Sequence, residues 1–156
     1  MTHLLSVLLL LSLSLNVRAD EWPMWGGRPD RNMVSTEKNL PAGWDGTGGK
    51  QLKWTAVLGT ETMGNPVVAG GRVLIGTNNE APQDPAVTGD RGILKCFSAA
   101  DGKFLWQAVH DRLGKEEDYA GIGLCSTPCV VGERVYYVSN RAELVCCDLL
   151  GYSDGD

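Results

Sequence analysis

Two stretches of this chain repeat one another. PVVAGGRVLIGT (Pro66–Thr77) aligns with PCVVGERVYYVS (Pro128–Ser139), an offset of 62 residues with five of twelve positions identical. Each copy reads as a proline, a short apolar strand, a tight turn and a longer strand. A repeated unit of this size cannot bury its apolar face alone and needs stacked neighbours. The repeat therefore restricts the fold to a row of similar supersecondary units. With 20 glycines and 7 prolines, those units should be short strands joined by turns.

Taken in order, residues 20–50 are rich in punctuation (WPMWGGRPDRN, then LPAGWDGTGG) and read as an irregular lead-in segment. Trp22, Trp25 and Trp44 are expected to pack there and hold it on a domain surface. Gln51–Leu58 (QLKWTAVL) reads as a strand, with Leu52, Trp54 and Ala56 on one face. Strands follow at Pro66–Ala69 and Arg72–Thr77, joined by Gly70-Gly71. After a polar insertion, Asn78–Gly92, come strands Ile93–Ser98 and Phe104–Val109 around the turn Ala100-Asp101-Gly102-Lys103. That is a four-stranded antiparallel meander over 66–109. A second polar connection, 110–126, leads to Pro128–Val131, Arg134–Ser139 and Glu143–Asp148, three strands of a second unit within 128–156.

Tandem four-stranded meanders with glycine turns and an outer-strand tryptophan make an all-β chain of the propeller type. Closed propellers have about four to eight blades, so one whole blade and part of another form an incomplete ring. The expectation is an N-terminal portion of a longer propeller, or a truncated reading frame. Both blade flanks and the Glu143–Asp148 edge should then be bare.

Residues 1–19 stand outside the fold. Leu4 to Leu15 is almost continuously apolar yet short for a bilayer, and Val17-Arg18-Ala19 suits a signal-peptide cut. An uncleaved anchor is the alternative. No cysteine follows the cut, and no later stretch is long enough to span. The mature chain is expected to be secreted or periplasmic. A net charge of −5 argues against nucleic acid as a partner.

Here the residues resemble a known family. DGKFLW (Asp101–Trp106) is similar to the end of the tryptophan-docking motif of pyrroloquinoline-quinone-like (PQQ-like) propeller repeats. Asp101 stands for the motif's threonine, and Cys96 and Ser98 for its alanine and aspartate. WPMWGG and GTNNEAPQDPAVTGDRG are similar to secreted bacterial members of that group. The resemblance implies a propeller and leaves the chemistry open. Some members are quinoprotein dehydrogenases, which hold PQQ with calcium and in several cases bridge two adjacent cysteines beside it. Cys146-Cys147 invites that comparison. A ladder strand, however, turns successive side chains to opposite faces, so two packed strand residues is the better reading.

The five cysteines are an odd set with no partner histidines at zinc spacing, and all are expected to be free and buried. Asp148, Asp154 and Asp156 do not match a calcium-loop pattern. Gly121-Ile122-Gly123 reads as a turn and Glu116-Glu117-Asp118 as a solvated run. His110-Asp111 reads as a surface pair. No catalytic and no metal-ligating residue stands out. Long loops on a rigid scaffold concentrate binding residues, and the meander places 78–92 and 110–126 at the same end. Asp84, Asp90, Arg91 and Asp118 are therefore candidates for one ligand-facing rim, with Arg91, beside Asp90, the best polar candidate, although structural pairing within the loop is the better reading for it.

The expected function is a non-catalytic binding or scaffold propeller for a protein, peptide or glycan. The alternative is the N-terminal part of a PQQ-dependent dehydrogenase. A scaffold role in outer-membrane protein assembly is a further analogy, against which stands the absent lipid-attachment cysteine.

Overall fold

The structure, a computed structural model, describes residues 21–47, 49–114 and 120–151. The proposed signal segment, Glu116-Glu117-Asp118, Asp154 and Asp156 lie outside them. Seven strands and no helix form among the described residues. Strands β1 (Val67–Ala69), β2 (Arg72–Asn78), β3 (Arg91–Ser98) and β4 (Phe104–Asp111) make one antiparallel sheet in sequence order. Strands β5 (Cys129–Val131), β6 (Arg134–Val138) and β7 (Leu144–Asp148) make the second. These are two blades of an incomplete propeller, as the repeat implies.

Register explains which residues are buried. One cross-strand row runs Val67, Leu74, Cys96, Trp106, and it faces the second blade. There it meets Val130, Val135, Tyr137 and Leu149 in a single core shared by both blades. Two glycines let the connection and blade two approach blade one closely. A Cβ at Gly76 would lie 2.5 Å from the Leu124 carbonyl oxygen, and one at Gly92 would meet the Asn140 side chain. Blade two repeats the row as Cys129, Tyr136, Cys146, with β7 at the sheet edge.

Gln51–Leu58 departs from the expected strand. It has no ladder partner, although its burial alternates as a strand's would, with Leu52, Trp54, Ala56 and Leu58 inward. The inward set covers the outer flank of blade one, where Ile75, Ile93 and Phe97 are buried. That corrects the expectation of two bare flanks: among the described residues, only blade two's outer face is open. Trp54 Nε1 donates to the Ala99 carbonyl at 3.1 Å, and its ring lies where a Cβ on Gly102 would sit. Trp106 repeats the arrangement one blade on. Its Nε1 donates to the Leu149 carbonyl at 3.1 Å, and its ring fills the place of a Cβ on Gly151. Gly102 and Gly151 have φ of +74° and +63°, so glycine meets both needs at these turns.

The lead-in segment is pinned at its start. Trp22 exchanges both backbone hydrogen bonds with Val68, and Val130 N–H donates to the Pro23 carbonyl, so residues 22–23 tie the inner strands of both blades. Beyond them the expected aromatic packing fails. Trp44 is 74% exposed, and Trp25 is half-exposed beneath the Arg31 guanidinium. The Trp44 ring lies against Gly46, two residues on, which has no side chain to pack with it.

Candidate functional site: the loop end of the blades

The two long connections meet at one end of the sheets. Asn78, buried at the end of β2, is the centre of the junction. Its Nδ2 donates to the Gly121 carbonyl at 2.5 Å and to Thr60 Oγ1 at 2.8 Å, while its Oδ1 accepts from Thr60 N–H at 3.0 Å. Asp90 closes the junction from the other loop, accepting from Gly121 N–H at 2.9 Å with Arg112 Nε 3.8 Å away. Thr60, Glu61, Met63, Asn78, Glu80 and the 120–122 turn line a shallow cavity of about 410 Å³ there.

The rim candidates divide on this geometry. Asp90 joins the two loops, and Arg91 pairs internally, its Nε 2.9 Å from Asp111 Oδ1 and its Nη1 donating to the Asp90 carbonyl. Asp84 is exposed further out, where its Oδ1 accepts from Ala86 N–H and shapes a local turn. Asp118 is among the residues not described. Of the two residues that organise the end, Gly121 was legible as part of a turn and Asn78 only as an amide at a strand's close.

Lys95 is a further residue that sequence reading passed over. It is fully buried on blade one's outer flank, where its Nζ donates to the Leu58 carbonyl and, at 2.8 Å, to the Ala81 carbonyl. Burial lowers its pKa from the usual lysine value. One ammonium thus fastens both 51–58 and the 78–92 loop onto the sheet. The clue was a lysine inside an apolar run, ILKCF.

A second cavity, of about 550 Å³, opens between β4 and the edge of β7. Trp106, Ala108, His110, Tyr137, Val145 and Cys147 contribute to its walls. His110 is not the surface partner of Asp111 that the sequence suggested. It is half-buried, its Nε2 lies 2.8 Å from Tyr137 Oη, and the rings meet edge to face. Burial lowers its pKa below the ordinary histidine value, with Arg141 acting the same way and Glu143 opposing.

The cysteines also differ from expectation. Only Cys96 is buried; Cys129 and Cys147 are half-buried, and Cys125 and Cys146 are exposed. Burial pushes the Cys96 thiol up to about 12 and the Cys147 thiol up to about 11. Cys146 and Cys147 are consecutive on β7, pairing with Tyr136 and Val135 and so projecting from opposite faces. Among the described residues no group of three or more His, Cys, Asp or Glu side chains is placed to hold a metal ion.

No helix of the described residues is long and apolar enough to cross a membrane. No curated protein matches the chain. The family described as outer membrane protein assembly factor BamB matches residues 22–151, which takes in both blades, the 51–58 segment and the pinned start of the lead-in. With that span matched and both tryptophans docked on their neighbouring blades, the chain belongs to the BamB family of PQQ-like repeat proteins.

Proposed function

We propose that the chain is an extracytoplasmic, non-catalytic propeller module that presents its loop end to a protein partner in outer-membrane protein assembly. The observation that carries this reading is the junction at Asn78 and Asp90. It fixes two long loops to each other and to the sheet, giving a preformed surface rather than a catalytic constellation. The family's description as an assembly factor supports a protein as the partner. An apolar leader at Leu4–Leu15 supports export. Further blades would be required to close the ring, because the outer face of blade two is bare.

Site-specific photo-crosslinking in a bacterial envelope tests it. A crosslinker at Glu80, exposed beside the loop-end cavity, should capture envelope proteins. One at Lys103, on the opposite turn, should not. Asp84→Lys should reduce the Glu80 adducts if the rim contacts the partner. Equal capture at both ends, or none at Glu80, would refute the reading. Bound-quinone absorbance after adding PQQ and calcium to the same protein would favour the dehydrogenase alternative.

A further inference from the structure

Lys95 does not match its surroundings. Its neighbours on the outer flank of blade one, Ile75, Ile93 and Phe97, are buried apolar residues. Lys95 itself is 0% exposed, and among the described residues its ammonium meets two carbonyls and no carboxylate. A buried charge held by neutral carbonyls alone is costly. Packing of the flank therefore does not account for a lysine here, and what the ammonium joins does.

The two carbonyls adjoin two walls of the loop-end cavity. Leu58 leads into Thr60, Glu61 and Met63, which line one side; Ala81 follows Asn78 and Glu80, which line another. Asn78 ties these walls together once, its N–H donating to the Glu61 carbonyl at 3.3 Å and its Oδ1 accepting from Thr60 N–H at 3.0 Å. Lys95 ties them again from the sheet, through the Leu58 carbonyl and, at 2.8 Å, the Ala81 carbonyl. The other end of segment 51–58 is held at the tight-turn end of blade one, where Lys53 Nζ and Trp54 Nε1 each donate to the Ala99 carbonyl at 3.1 Å. The segment is a strap fixed at both ends, and Lys95 is where it meets the 78–92 loop.

We infer that Lys95 is a positioning residue of the loop-end surface: holding the Leu58 and Ala81 carbonyls on one ammonium, it sets the separation of the cavity walls and passes to them the docking of Trp54. This deepens the reading of the loop end as a binding surface and rests on it. With Trp54 docked at the turn 99–103, Leu58 is fixed, and through Lys95 so is the start of the 78–92 loop. A surface preset in this way spares a partner the cost of ordering the loop. The coupling is reciprocal, since whatever fixes the walls also holds the strap. Trp54, which does not line the cavity, thereby tunes it.

Amide exchange of the full chain, resolved by NMR, tests this without a partner. The reporters are the N–H groups of Thr60 and Asn78, whose hydrogen bonds cross between the walls. Trp54→Phe keeps a ring against Gly102 but removes the indole donor. It should speed exchange at both reporters severalfold, with β6 amides unchanged. Lys95→Met, close in volume and without the ammonium, should speed them by itself, and adding Trp54→Phe should then change them no further. Lys95→Gln, shorter and uncharged, is the second variant and should show the same loss of additivity. Equal effects of Trp54→Phe with and without Lys95 would overturn the inference, because independent sites add. So would reporters that Lys95→Met leaves unchanged, or β6 amides that accelerate with them, the mark of a general loss of stability. Failure of both Lys95 variants to fold would make Lys95 a core residue only, and overturn it too. None of these readings needs the Glu80 adducts. Absent crosslinking with the coupling intact refutes the proposed function, and the reverse result refutes the coupling alone.

Discussion

At the residue scale, the contact between the blades depends on what is missing from side chains as much as on what is present. Gly76 has only hydrogen facing the Leu124 carbonyl, and that backbone cannot yield. Gly76→Ala should cost about 1–3 kcal/mol through overpacking. Gly92→Ala meets chiefly the amide of Asn140, a side chain able to swing aside, and should cost less. Urea midpoints of the two variants check the order. His110 gives the blade contact a pH dependence. Its pKa in the fold is lowered, so between that value and the unfolded histidine's pKa the unfolded chain binds more protons than the folded one. Stability therefore rises with pH through that window and is lost as pH falls through it. The only other histidine in the sequence is His3, which isolates the effect. Thermal melts across this window should flatten in His110→Gln, which cannot titrate. An unchanged slope would assign the effect to carboxylates instead. None of this was visible in the sequence, because His110 and Tyr137 meet only once two sheets are stacked.

At the element scale, strands were readable where an apolar run or a period-two alternation lies between turns and has a hydrogen-bonding neighbour in the same blade. β1 and β6 alternate, β2 and β3 are buried almost continuously, and the order of all seven follows from the turns between them. Segment 51–58 shows where the inference breaks. Its alternation is real, with Leu52, Trp54, Ala56 and Leu58 inward, but alternation reports a buried face and says nothing about a ladder partner. The loop end was partly legible, since strand parity alone puts both long connections together. What parity could not give was the partner of each side chain: Asp90 and Arg91, candidates for the rim, are engaged internally, by Gly121 N–H and by Asp111. The β7 cysteines test strand parity directly. Opposite faces keep the Cys146 and Cys147 sulfurs apart, so no disulfide should join them. Native alkylation should label exposed Cys146 well before Cys147, whose thiol is pushed up to about 11. A bridged dipeptide recovered from non-reduced protein would refute it.

At the scale of the whole molecule, the two blades are unequal in support. Blade one is covered on both faces, by blade two and by segment 51–58, with Lys95 fastening the latter. Blade two is covered on one face and presents β7 as an edge. Units in a stack gain most of their stability from neighbouring contacts, so protection should follow coverage. Hydrogen exchange should be slowest in β2 and β3, which are central and buried along most of their length, and fastest in β7. Because the core is shared across the blades, loss of blade two also uncovers Leu74, Leu94 and Cys96, and blade one should lose protection with it. Exchange from β7 as slow as from β3 would mean that blade two needs no further cover.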